Sequence, residues 1–425
     1  MTATCDPTIQ NLNLRQIMAS FAYLAYCGQG ITDKSNLEHL EAEILGLIEQ
    51  AMPQIPPIAA PNPLWNVVWG PAVFTMPGAL YQDNMMFVVQ NQADKTQFAI
   101  AIRGTNFVSD LDWLMEDLDI LQLIPWPPAL YGAAKTGAAN TGAISESTSI
   151  DLQILLAMKS RNAKGIEMNL LEFFLKDVTP QFATGINLCV TGHSLGGCVA
   201  GTFALYLKEN PASWDATKNS LVCCITFAAP SAGNADFATY SDGQFADQSK
   251  QFPGWDQTLR TNFDAVRCTL DVAPMAWLTS SVVITGSDWY PPLLNIYKPT
   301  LYFYNAYGGT AFSSALADLI CPTLQDIMAP LNYQQVVAGA TPLTGTFNGD
   351  PPKYWDYLSV YLEAFYAQAK YQHGSSYPCL LCVPQLNDSK IIVTQTPPSS
   401  SRIFSERVWQ RVGKLVGGGA KRSPD

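Results

Sequence analysis

The stretch INLCVTGHSLGGCVAGTFALYL, from Ile186 to Leu207, constrains the fold of this chain more than any other. Ile186, Leu188 and Val190 read as a buried strand, Gly192-His193-Ser194-Leu195-Gly196 as a turn, and the Ala-, Gly- and Leu-rich remainder as a helix. Gly-x-Ser-x-Gly between a strand and a helix is the pattern of a nucleophile elbow, a turn too tight for side chains at the two flanking positions. Gly192 and Gly196 supply that clearance. Such a turn lifts the serine hydroxyl clear of the sheet and sets the unpaired N–H groups of the helix N-terminus beneath it. Ser194 is therefore the candidate nucleophile.

Upstream, residues 12–28 and 36–51 carry helical periodicity, and a Pro-rich linker separates them from three expected strands: Trp65–Val73, Leu80–Gln90 and Thr96–Arg103. The first two read as antiparallel, and the third, FAIAIRG, is continuous enough to be central and buried. It ends in Arg103-Gly104-Thr105-Asn106. A loop in that place supplies the second oxyanion donor when an elbow follows, which makes Thr105 a candidate; otherwise Thr105 is the N-cap of the next helix. That helix, NFVSDLDWLMEDLDI, carries Phe107, Leu111, Leu114 and Leu118 on one side, and Trp113 and Ile120 on the other. It is either docked on the core or a movable lid lining a substrate pocket, and its position after the oxyanion loop is the reason to consider a lid. Residues 132–148 read as a flexible surface loop, and Asp151–Leu175 as one or two helices.

Beyond the elbow, Ser220–Pro230 and Arg260–Leu270 read as further strands, the second ending in Asp271-Val272-Ala273-Pro274. Ser194, Thr105 and Asp271 would then stand at the carboxyl ends of strands, where open α/β sheets collect ligand-contacting groups. A serine nucleophile needs a base, and the chain has three histidines, His39, His193 and His373. His193 belongs to the elbow and is expected to pack under it, and His39 precedes the sheet. His373 follows an expected long helix, Lys353–Tyr371, and opens HGSSYPC, expected to be a loop over the sheet edge. The order Ser194, Asp271, His373 is that required of an elbow serine with its acid and base. Asp264 competes with Asp271 for the acid but lies inside a strand, so Asp271 is preferred to hold the Nδ1 proton of His373.

Composition narrows the partners. A formal charge of −11 leaves no basic surplus for nucleic acid, and no apolar run approaches the ~18 residues of a membrane span, so the chain reads as soluble. MTATCDPTIQNLNLRQ lacks a basic stretch leading into an apolar one, which predicts a cytoplasmic protein or export by a non-standard route. Ten cysteines are too few for a disulfide scaffold at this length, and Cys189, Cys198, Cys223 and Cys224 are expected in the core. Cys379 and Cys382 lack the second pair of a zinc site and read as a structural or weakly redox-active pair, and no metal is expected.

The set AIRGTN (101–106), VTGHSLGG (190–197), TFAAPSAGN (226–234), DVAP (271–274) and the late His373 resembles the class 3, or fungal-type, lipase family of α/β-hydrolases. The resemblance spans roughly residues 65–380. It implies a mostly parallel central sheet with helices on both faces, and an enzyme acting on ester or lipid substrates without a cofactor. It further implies Ser194, Asp271 and His373 as triad, N–H groups of Thr105 and Leu195 as oxyanion hole, and the helix after Thr105 as interfacial lid. Two departures stand out: the family's His-x-Gly-Phe after the lid is replaced by Thr141-Gly142-Ala143, and the interval from Asp271 to His373 is enlarged, with extra material at about 278–328.

The expected organisation is an N-terminal helical segment (1–64), the hydrolase domain (65–383) and a tail (384–425) that includes a short basic helix, docked on the body or lying on a membrane surface. A triacylglycerol lipase or esterase is the leading expectation. Phospholipase A, an aryl (feruloyl-type) esterase and a non-catalytic lipase-like scaffold or signalling protein are the alternatives.

Overall fold

Six expected strands and a seventh assemble into one sheet. The computed structural model describes residues 12–31, 36–59, 64–75, 84–104, 120–128, 141–162, 165–247, 249–255, 259, 261–271, 273–275, 277–278, 282–284, 287–290, 328–336, 339–345 and 370–383. The strands are β1 (Trp65–Phe74), β2 (Asn84–Asn91), β3 (Gln97–Arg103), β4 (Asn187–His193), β5 (Leu221–Phe227), β6 (Phe263–Cys268) and β7 (Ala340–Leu343). Their order across the sheet is their order in the chain. β1 with β2 and β2 with β3 are antiparallel; every later pair is parallel. β7 escapes the sequence because ATPL is short and carries Pro342, a residue without an N–H that suits an edge.

Side chains alternate between two apolar layers, as a strand's period of two requires. On one face Met86, Val88, Phe98, Ile100, Ile102, Leu188 and Val190 meet Leu152 of α3 (Glu146–Ala157) and Val199 and Phe203 of α4 (Leu195–Glu209). On the other face Phe87, Val89, Ala99, Ala101, Cys189 and Cys223 meet α1 (Leu12–Leu24) and α2 (Leu37–Ala51). Small residues on both sides of that contact, Ala99 and Ala101 against Ala19, Ala22 and Ala25, let α1 come close. Cys189, Cys198, Cys223 and Cys224 are buried thiols, as small hydrophobes should be.

Two of the local expectations need correcting, and a third gains detail. The described end of the 132–148 stretch is no loop: Ala143–Ser145 is a strand, and α3 starts at Glu146 with Ser145 accepting from the Thr148 amide. The stretch 151–175 holds two helices, within the expected one or two; a hairpin, Lys159–Arg161 with Glu167–Asn169, separates them, and an Asn169/Glu172 capping box starts the second at Leu170. Cys379 carries no disulfide whereas Cys382 is disulfide-bonded, so the two do not pair with each other.

A second, four-stranded sheet joins Leu123–Pro125, Ala143–Ser145, Gly233–Asn234 and Tyr333–Gln334. There Thr141-Gly142-Ala143 packs by backbone: Gly142 has φ +75°, and a Cβ on it would come within 2.0 Å of the Phe237 amide, at the start of α5 (Ala235–Phe245). Of the region 278–328, the described parts include the hairpin Val282–Ile284 with Ser287–Tyr290. The expected lid helix, most of the long helix 353–371 and the tail 384–425 lie outside the described residues. No helix among the described residues is long and apolar enough to cross a membrane.

Candidate active site

Ser194 sits between β4 and α4 with φ 59° and ψ −133°, a backbone shape that side chains rarely adopt. Glycines on three sides make it possible. A Cβ on Gly192 would lie 2.2 Å from the Gly196 carbonyl, and one on Gly196 would lie 2.4 Å from the Gly104 amide. The Ser194 amide donates to the Phe227 carbonyl of β5 at 2.9 Å, and its own carbonyl accepts from the amides of Gly197 and Cys198. Leu195 opens α4, so its N–H has no acceptor within the helix.

His373 and Asp271 reach this serine from far along the chain. The Ser194 Oγ lies 2.8 Å from His373 Nε2, and His373 Nδ1 lies 3.0 and 3.1 Å from the two Asp271 oxygens. All three are buried, Ser194 to 2% exposure. Asp271 follows β6 and accepts two further bonds, from the Ala273 amide at 3.0 Å and the Tyr377 hydroxyl at 2.7 Å. Burial, then the Asp271 carboxylate, pushes the Tyr377 phenol well above its ordinary value, so it remains a donor. That phenol also accepts the Cys268 amide at 2.8 Å. A hydroxyl, an imidazole and a carboxylate bonded in this sequence can pass a proton from oxygen to nitrogen while the carboxylate steadies the cation formed.

The rival acid is occupied elsewhere. Asp264 lies inside β6 and takes Arg15 Nε of α1 at 2.7 Å in a buried ion pair, with Thr341 Oγ1 on its other oxygen at 2.8 Å. His39 lies on the exposed first turn of α2, its amide capped by Asn36. His193 is fully buried beneath the elbow, as expected. Burial, then the neighbouring His373, lowers its pKa well below the ordinary value, which leaves it neutral. His373 itself does not open a loop: it sits in a wide helical turn, Tyr371–Ser375, that runs into a short helix, Ser376–Leu380.

Of the oxyanion candidates, Leu195 is in place beside Gly104, whose Cβ, if present, would touch the Leu195 Cβ at 2.9 Å. Thr105 lies just outside the described residues, as do Phe107, Leu111, Trp113, Leu114 and Leu118. Sequence reasoning missed Tyr377. Its spacing of four from His373, one helical turn, was the available signal, hidden by reading that segment as a loop.

A mostly parallel sheet with helices on both faces and a strained serine at a strand-to-helix turn define an α/β-hydrolase fold. The class 3 lipase family model matches residues 99–266. Among solved structures the M37 lipase is similar, at 29% identity over 86% of this chain and 91% of that one, with a TM-score of 0.62. The Lip2 lipase of Yarrowia lipolytica (20% identity, 64% of this chain and 76% of that one, TM-score 0.41) and a lipase of Rhizopus microsporus var. chinensis (16%, 64% and 70%, 0.37) are more distant. No curated sequence matches the chain significantly. Residues 99–266 thus carry the likeness to class 3 lipases, and the chain is a carboxylic ester hydrolase.

Proposed function

We propose that this hydrolase is a triacylglycerol lipase or esterase working through a Ser194–His373–Asp271 triad and an acyl-enzyme. His373 Nε2 takes the Ser194 proton as Oγ attacks the ester carbonyl, and Asp271 holds Nδ1–H and stabilises the imidazolium. The amides of Leu195 and Thr105 hold the tetrahedral oxyanion. The C–O bond to the alcohol breaks, and the alcohol leaves with the proton from His373. Water then loses a proton to His373, attacks the acyl carbon, and releases the fatty acid and the serine. The observation carrying this reading is the 2.8 Å contact between Ser194 Oγ and His373 Nε2, continued to Asp271.

The experiment is hydrolysis of p-nitrophenyl esters from acetate to palmitate, with Ser194→Ala in parallel. Turnover should vanish in the variant, and a long-chain optimum supports a lipase over an esterase. Preference for phosphatidylcholine or for feruloyl esters would move the reading to a phospholipase A or an aryl esterase. Burial of Ser194 favours a cover that must move, so specific activity should rise about tenfold or more on emulsified over monomeric ester. Equal rates on both would remove the lid from the mechanism.

A further inference from the structure

Beneath the triad runs a second chain of polar contacts that the hydrolytic steps leave unused. It begins with a defect in the helical turn around His373. Pro378 has no N–H, so one carbonyl before it lacks a helical donor: Gly374 in the four-residue register, His373 in the five-residue register of Tyr371–Ser375. These are the two carbonyls taken up from outside. His193 Nε2 lies 2.7 Å from the His373 carbonyl, and the Tyr23 hydroxyl donates to the Gly374 carbonyl at 2.9 Å.

The rest of the chain follows from donor and acceptor logic. A carbonyl only accepts, so His193 Nε2 carries the proton, and in the neutral ring Nδ1 is left as an acceptor. The Tyr26 hydroxyl stands 3.4 Å from that nitrogen and 3.1 Å from the His193 carbonyl. Tyr26 is bonded in turn to the Gly104 backbone, at the oxyanion loop. The His193 ring is packed among Tyr23, Tyr26, Tyr377 and His373, with centroids at 4.9, 5.9, 5.7 and 4.9 Å. Tyr23 belongs to α1 and Tyr26 to the turn after it, so one N-terminal segment reaches the elbow, the oxyanion loop and the turn that bears His373.

We propose that His193, Tyr23 and Tyr26 are positioning residues that fix the backbone of His373 beneath Ser194, making α1 a working part of the active site. The proposal rests on His373 being the base. Its leverage is geometric, because a displacement of about 1 Å in a reacting group can cost on the order of 100-fold in rate.

The full-length chain supplies the test. Steady-state kinetics on p-nitrophenyl butyrate, the rate at which diethyl p-nitrophenyl phosphate transfers its diethylphosphoryl group to Ser194 with loss of p-nitrophenolate, and the melting temperature are compared for four variants. His193→Leu removes the donor, His193→Gln keeps an amide donor, Tyr23→Phe removes one hydroxyl and keeps its ring, and His373→Ala is the reference. His193→Leu should lower kcat about 30- to 100-fold with KM within twofold, and slow phosphorylation by the same factor. His193→Gln should restore most of that loss. Tyr23→Phe should lose about three- to tenfold in kcat with an unchanged melting temperature. Equal losses in His193→Leu and His193→Gln would overturn the proposal, as would Tyr23→Phe within twofold of the parent, a result that decides even should His193→Leu fail to fold. An active His373→Ala would instead overturn the assignment of the base.

Discussion

Ser194 carries a cost that its neighbours must sustain. A non-glycine residue at φ 59° is strained by about 1–3 kcal/mol, and the strain sets its hydroxyl at the mouth of the turn. Ser194→Ala and Ser194→Gly should both be inactive, but the glycine variant should be the more stable by roughly 1 kcal/mol in denaturant unfolding, since it alone relieves the backbone. Tyr377 is the other residue to test. Tyr377→Phe removes a donor to Asp271 and leaves the buried Cys268 amide without its acceptor, so stability should fall by about 1–3 kcal/mol and kcat should fall with it. The elbow at Ser194 was legible because its glycines form a local pattern, and Asp271 and His373 became candidates through chain order and the small number of histidines. What separates Asp271 from Asp264 was not legible: Arg15, 249 residues away, occupies Asp264, and spacing does not report such a contact. The role of His193 was hidden likewise, since its donor serves a carbonyl 180 residues on.

At the scale of elements, the site depends on how near β3, β4 and α4 come to each other. Gly192→Ala would place a methyl 2.2 Å from the Gly196 carbonyl, which is backbone and has little room to yield. The variant should melt well below the parent and lose activity, measured by thermal unfolding and ester turnover. α2 adds a pH-dependent term. Burial pushes the Glu41 carboxyl up to about 7, against hydrogen bonds from the Val73 backbone and Ser160 that lower it, with Glu167 and Arg161 nearby. The folded protein then holds this proton at pH values where the unfolded chain has released it, so stability is lost as pH rises from about 4.5 towards about 7. Glu41→Gln should flatten that decline and melt higher than the parent at pH 8, the gap closing at pH 4.5. Strands with strong alternation or continuous apolar runs were readable. β7 and the hairpin inside 151–175 were not, because pieces of three or four residues are fixed by their partners and not by their own pattern.

For the whole molecule, the sheet divides the interior into two layers, and α1 is the part of the second layer that also touches the site. Met18, Ala19, Phe21, Ala22 and Leu24 are completely buried there, Arg15 is paired with Asp264, and the Gln16 amide bonds the Leu381 carbonyl at 2.8 Å. Deleting residues 1–28 should abolish cooperative thermal unfolding, because it uncovers the central strands that α1 packs on and leaves Asp264 a buried charge without Arg15.

The agreement between strand order and chain order bears on how the protein is made. Each strand pairs with the one synthesised just before it, so the sheet can grow as the ribosome delivers it, at about 5–20 residues per second. The turn that carries His373 arrives after every described strand, and its partners in α1, Gln16 and Tyr23, were made 365 and 351 residues before Leu381 and Gly374. A nascent chain can thus hold the seven described strands and a formed elbow before its proposed base is made. On the proposed triad, hydrolytic competence waits until the two ends of the described chain meet.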